Sequence, residues 1–224
     1  MGLLGASGPS SEELLDQFAV VHGLVPAAEV NEVDDLLPRS CQVVDAHQLH
    51  SRWSDYAVRR HAYRGMLPGG VEGVIAHVEI FGDEIYSDVF DIVRLPAPPD
   101  VVLPIIEIQG PFGGGLKAVG GHRTADVPFR MGKARKVSLP DVHRRHKARV
   151  ARTDDPAAIE AVFNPGFVGW LATTDPPFCF ELFDGWMTVF RLEHRPEPEE
   201  RLYPALGDAA ARFAGACRGL PGGH

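Results

Sequence analysis

The feature that most restricts the fold is a period-two pattern of apolar and β-branched residues between Cys41 and Leu95. Successive side chains of a strand point to opposite faces of a sheet, so this pattern is typical of half-buried strands. It predicts strands at 42–45, 56–64, 71–81 and 85–95. Short turns separate the last three: Leu67-Pro68-Gly69-Gly70, with the usual turn residues proline and glycine, and Gly82-Asp83-Glu84. Three strands joined in this way predict an antiparallel meander.

Helices and a hairpin are predicted around this meander. Ser10 and Glu13 form a capping-box pattern that begins a helix over 11–22, and Gly23 is suited to its end. The other predicted elements are strands at 101–108 and 148–152, helices from Asp155 to Val162 and from Asn164 to Leu171, a hairpin of 178–183 and 186–192, and a helix over 199–217. Pro204 predicts either a kink in that last helix or a start near Tyr203.

This order of elements predicts the α+β class, because it lacks the strict alternation of a doubly wound sheet. We expect an antiparallel meander sheet with short helices and a C-terminal β-hairpin followed by a helix. With 224 residues, 45% of them hydrophobic, the chain can bury a core without disulfide or metal support. We therefore expect a single domain over 1–224, with 1–9 as a loose arm and 109–136 as a glycine-rich basic surface loop.

Two features of the sequence bear on where the protein is located in the cell: its few cysteines and its lack of a long apolar run. No segment reaches the roughly 20 apolar residues of a membrane helix, so we expect no membrane span. The three cysteines, Cys41, Cys179 and Cys217, lie far apart and form no paired spacing. Such a count is typical of a reducing compartment, where thiols pack as small apolar groups. We expect a cytoplasmic protein.

Positive charge is concentrated in one part of this acidic chain. Between Lys117 and Arg152, here called the basic band, lie eleven Lys and Arg residues and only two acidic ones. The band therefore carries +9, and the rest of the chain carries −17 of the formal net charge of −8. Clustered cations attract acidic proteins, anionic lipids or nucleic acid. They can also lie over the chain's own acidic body or at a subunit contact.

Three stretches carry a resemblance to a known family: 18–24 (FAVVHGL), 89–99 (VFDIVRLPAPP) and 150–190. The chain is similar there to a family of uncharacterised actinobacterial proteins, a domain of unknown function that is often membrane-anchored. The shared residues are turn and packing residues, so the resemblance implies a fold and no activity. For the last stretch, the resemblance implies a strand, an Asp-Asp-Pro turn, two short helices and a hairpin.

Motifs for catalysis or cofactors are weak. The loop 110–117 lacks the Gly-Lys-Ser/Thr of a P-loop, so no cofactor is expected. The pairs His47/His50 and His143/His146 have i, i+3 spacing, but they lack the internal glutamate of a zinc motif, and cations flank the second pair. Nucleophile motifs are absent. Cys179, between two phenylalanines, is interpreted as a packed thiol, and no metal site is assigned.

These observations favour a non-catalytic interaction or accessory domain that docks an acidic partner protein, or a second copy of itself, through segment 109–149. Nucleic acid is not favoured, because the pI is near 5.6 and few aromatic residues lie in the band. The partner-binding residues that we predict are Arg123, Arg130, Lys133, Arg135, Lys136, Arg144, Arg145 and Lys147. The alternative is a small-molecule enzyme in which His143, His146 and nearby arginines bind an anionic substrate.

Overall fold

The computed structural model describes residues 8–27, 36–38, 44–45, 48–51, 57–81, 87–97, 101–110, 134–138, 146–151, 155–183, 185–194, 198–218 and 220. Its strands are β1 (Val25–Pro26), β2 (Val44–Asp45), β3 (Gln48–Ser51), β4 (Ala57–Leu67), β5 (Val71–Phe81), β6 (Ser87–Pro96), β7 (Ile106–Gln109), β8 (Ala134–Val137), β9 (Lys147–Ala151), β10 (Cys179–Phe183) and β11 (Trp186–His194). Its helices are α1 (Ser11–His22), α2 (Pro156–Val162), α3 (Pro165–Thr173) and α4 (Leu202–Cys217). None of these described helices combines the length and apolarity that crossing a lipid bilayer requires.

Nine of the described strands form one antiparallel sheet, in the order β1-β4-β5-β6-β11-β10-β7-β9-β8. Within it, β4, β5 and β6 are the predicted meander, and β10 and β11 are the predicted hairpin. The hairpin lies between β6 and β7, so strands from both halves of the chain share the sheet. The α+β class, the meander and the hairpin followed by a helix are confirmed.

Three of the four described helices begin where a side chain accepts from a free backbone N–H group. In α1, the Ser10 hydroxyl accepts from the backbone of Glu13, whose carboxylate accepts from the backbone of Ser10. Asp155 and Asn164 cap α2 and α3 in a similar way, each followed by a proline at the first helical position. In α4, Pro204 lies within the first turn, where a missing N–H breaks no helical hydrogen bond. The helix therefore starts near Tyr203 and needs no kink.

Each face of the sheet has its own apolar core. The four helices of the described residues pack on one face, here called the helix face, around residues that include Ile75, Val93 and Phe180. The opposite face carries a second cluster that includes Val78, Phe90 and Ile92, with Leu36 and Leu37 packed against it. Buried apolar residues on both faces show that β5 and β6 are not the half-buried strands that their period-two pattern predicts.

Several elements differ from their predicted bounds. Strands β1, β3 and β8 were not predicted, and β7 begins at Ile106 rather than at Val101. The predicted loop 109–136 is shorter at both ends, because Gln109 belongs to β7 and 134–136 belong to β8, which pairs with β9. Residues 111–133 of that loop, and 1–7 of the predicted N-terminal arm, lie outside the described residues.

Candidate functional site

A row of polar residues crosses four adjacent strands on the helix face. His61 of β4, His77 of β5, Asp91 of β6 and Arg191 of β11 occupy directly paired register positions. Side chains opposite each other in antiparallel strands lie about 4.5–5.5 Å apart at Cβ. The register therefore brings two imidazoles, a carboxylate and a guanidinium into line beneath the helices.

Asp91 is the centre of this row. Its carboxylate lies 2.8 Å from Nδ1 of His77, accepts a hydrogen bond of 2.9 Å from the hydroxyl of Tyr203 in α4, and lies 3.4 Å from Nη2 of Arg191. Only 2% of Asp91 is exposed, and His77, Tyr203 and Arg191 are equally enclosed. A buried carboxylate is stable only with such partners, and here they come from two neighbouring strands and a helix.

Two glutamates extend the network toward solvent. Nη1 of Arg191 donates to Glu199 at 2.9 Å, and Nε2 of His77 lies 3.5 Å from Glu79. Burial lowers the pKa of His77, but the hydrogen bond and charge of Asp91, together with Glu79, outweigh burial and raise it above its ordinary value. The network is thus an alternation of basic side chains and carboxylates.

Burial also makes Tyr203 a poor acid. Its hydroxyl is enclosed and donates to Asp91, and both the burial and the charge of Asp91 raise its pKa well above the ordinary value. A phenol held in its neutral form is a hydrogen-bond donor rather than a base. The arrangement ties α4 to three central strands, which is a structural task.

A smaller polar cluster lies where α1 meets β4. Tyr63 donates to the carboxylate of Asp16 at 2.5 Å, and His61 pairs with the same oxygen. These two hydrogen bonds lower the pKa of Asp16, and the bond to Asp16 raises the pKa of Tyr63 to about 12. The cluster fixes α1 on the sheet at a half-exposed position.

On the opposite face, a second row contains two buried carboxylates. Glu181 of β10 and Glu107 of β7 are directly paired, and each is 2% exposed. Oε1 of Glu107 accepts from Gln109 at 2.7 Å, while its Oε2 has no hydrogen-bond partner in the described part of the chain. The register continues to Arg149 of β9 and Lys136 of β8. In the backbone register, one residue of the basic band, Arg149, is therefore paired with Glu107.

The predicted partner-binding residues are only partly described. Arg135 and Lys136 lie in β8, and both side chains are exposed. They occupy opposite faces of the sheet, because successive strand residues alternate. Lys147 belongs to β9, paired in register with Gln109. Arg123, Arg130, Lys133, Arg144 and Arg145 lie outside the described residues.

The histidine pairs cannot be assembled into a metal centre from the described residues, where no three His, Cys, Asp or Glu side chains gather as such a centre requires. His50 lies in strand β3 and not on a helix. His146 is buried, with Nε2 3.1 Å from the carbonyl oxygen of Phe178 and its ring near that of Phe180. His47 and His143 fall outside the described residues.

Cys179 is packed as predicted. Its thiol is buried and accepts from the backbone N–H of Gly110 at 3.2 Å. Burial raises the pKa of Cys179 to about 12, and the pKa of the buried Cys217 is likewise raised to about 12. Neither thiol is poised as a nucleophile, because the thiolate is strongly disfavoured.

Comparison of the chain with known protein families, curated proteins and solved structures finds no match. The site must therefore be interpreted from its own residues.

Sequence reasoning missed the Asp91 network, although the sequence holds a signal for it. His77, Asp91 and Arg191 each interrupt the apolar side of a predicted strand, at positions where the neighbours two residues away include Ile75, Val93 and Val189. A charged residue on the buried side of three strands indicates that the three meet and compensate one another.

Proposed function

We propose that the protein is a non-catalytic interaction domain of the cytoplasm that docks an acidic surface of a partner protein through segment 109–149. One observation carries the proposal: Arg135 and Lys136 are exposed on β8, the last of the described strands of the sheet, and neither forms an ion pair within the described part of the chain. Exposed cations on an acidic protein favour contact with an acidic partner. The resemblance to a domain of unknown function fits this proposal and adds no activity.

The Asp91 network supports the non-catalytic interpretation. His77, Asp91, Tyr203 and Arg191 could perform acid–base chemistry by residue type, but all four are enclosed and hydrogen-bonded to one another. A catalytic acid or base must reach a proton on a substrate. Groups that are enclosed in the core and bonded to one another act on the fold instead.

The alternative proposal is a small-molecule enzyme that acts on an anionic substrate through His143, His146 and nearby arginines. Burial of His146 between a backbone carbonyl and Phe180 weakens this alternative, because that imidazole packs with the core. No described observation favours it over docking.

A matched pair of charge reversals tests the proposed function. R135E/K136E and the control R201E/R218E, at exposed positions around α4, both lower the formal charge by four. Affinity capture with quantitative mass spectrometry identifies partners, and each complex is then reconstituted from pure proteins. R135E/K136E should weaken the reconstituted complex by about tenfold, because attraction becomes repulsion at two contacts. The control should bind like the native protein, and raised salt should weaken binding.

The opposite outcome is equally clear. Partners that bind R135E/K136E and the native protein with the same affinity would exclude docking through this strand. A substrate converted by the pure protein would favour the enzyme.

A further inference from the structure

The edge of the sheet formed by β8 suggests how an acidic partner docks. In the sheet order, β8 is last and pairs only with β9 among the described strands. An edge strand presents N–H and C=O groups along its outer side, and an extended peptide can pair with them as an added strand. The backbone of β8 can therefore bind a partner in addition to its charged side chains.

The two sheet edges differ in how well they can accept a strand. The edge strand β1 has two residues, one of which is Pro26, and proline has no N–H to donate. β8 has four residues, Ala134–Val137, without proline. Strand addition is therefore favoured at β8.

The side chains of β8 define the chemistry of the added strand. Arg135 is paired with Val150 and Lys136 with Arg149, so the two cations alternate between the helix face and the opposite face. A strand laid alongside would place two consecutive residues opposite them, one on each face. Two consecutive acidic residues fit this pattern.

The position of Val137 indicates which residue of the added strand should be apolar. It is partly buried against the helix-face core, so the residue opposite it would extend an apolar surface. The cations also exclude other strands, because charged residues on an edge disfavour neutral or basic strands. An acidic strand, in contrast, is attracted by Arg135 and Lys136.

We infer that the partner presents an extended segment with two consecutive acidic residues beside an apolar one, and that this segment adds to the sheet as a strand next to β8. This inference rests on the proposed function and specifies its geometry. It requires both the backbone of β8 and the charges of Arg135 and Lys136.

A labelled synthetic peptide, Thr-Val-Val-Glu-Glu-Val-Val-Thr, tests the inference by fluorescence anisotropy with the full-length protein. We expect binding that falls by about tenfold when Gln-Gln replaces Glu-Glu, because two opposite-charge pairs are lost. R135E/K136E should lose the Glu-Glu peptide and bind a Lys-Lys version instead. This exchange is not expected from a variant that has merely lost its fold.

Two N-methylated peptides separate strand addition from docking by charge alone. Methylating alternate backbone nitrogens blocks one edge of the peptide, and shifting the pattern by one residue blocks the other. Strand addition predicts that one pattern abolishes binding and the other preserves it. If both patterns bind like the parent, or if the parent does not bind, strand addition is wrong. The reconstituted complex with R135E/K136E then decides separately whether the proposed docking stands.

Discussion

Replacing Asp91 with alanine tests whether the buried network holds the fold together. The change removes the acceptor that His77, Tyr203 and Arg191 share, while 4% or less of each of these residues is exposed. Removing one partner of a buried ion pair costs about 3–5 kcal/mol, because the remaining charge stays buried without compensation. Glu199 and Glu79 each retain one cation, which favours the lower part of this range.

The exposed pair Asp208–Arg212 provides a matched control. These residues are 2.9 Å apart on α4 at i, i+4 spacing, and about half of each side chain is exposed. Asp208→Ala should cost only about 0.3–0.5 kcal/mol. For a chain of this size each kcal/mol shifts the melting temperature by about 2–4 °C. Asp91→Ala should therefore melt at least about 6 °C lower than the native protein, and Asp208→Ala within about 2 °C of it.

Urea unfolding followed by circular dichroism measures both free energies. Asp91→Asn keeps the shape of the side chain and one acceptor oxygen, so its free energy of unfolding should lie between those of the native protein and Asp91→Ala. The difference between Asp91→Asn and the native protein then measures the contribution of the charge. If Asp91→Ala costs less than about 1 kcal/mol and cannot be distinguished from Asp208→Ala, the argument that buried charge stabilises this fold is refuted.

Two further substitutions probe charge and packing. Because the folded pKa of His77 is raised, its pairing with Asp91 stabilises the fold fully below the unfolded pKa of about 6.5, and this stabilisation is lost as pH rises through the folded pKa. His77→Gln should therefore cost more free energy of unfolding near pH ~5.5 than near pH ~8.5 in urea titrations, and equal costs would contradict the pairing. Gly73→Ala would place Cβ 2.4 Å from Leu95 and 2.7 Å from a backbone oxygen, so it should cost about 1–3 kcal/mol. Gly169→Ala, in open space on α3, is the control and should be neutral or stabilising by up to about 1 kcal/mol. If the two glycine substitutions change the free energy of unfolding by similar amounts, Gly73 is not crowded.

The elements that were predicted well are those whose signals are local. The capping box at Ser10, the turn at 67–70 and the prolines after Asp155 and Asn164 act within a few residues, and the structure has each element there. By contrast, β8 has the sequence Ala-Arg-Lys-Val, which shows no local preference for a strand. It is a strand because β9 pairs with it.

The Asp91 network could not be predicted from local patterns, because it depends on register between distant strands. His77 and Asp91 are 14 residues apart, whereas Tyr203 lies 112 residues from Asp91. The contact exists only because β11 lies beside β6 and carries α4 over that strand. Charge segregation, in contrast, is visible in the sequence, and Arg135 and Lys136 are exposed in the structure.

The place of the β10–β11 hairpin in the sheet has a consequence during synthesis. A nascent chain that has left the ribosome only as far as Pro177 holds β6 and β7, but it lacks the two strands that join them. Apolar residues of β6 such as Ile92 then have no neighbouring strand on that side, and such edges favour aggregation. The last quarter of the chain closes the sheet, so ribosome-bound chains that stop before Cys179 should depend on chaperones more than chains that extend past His194.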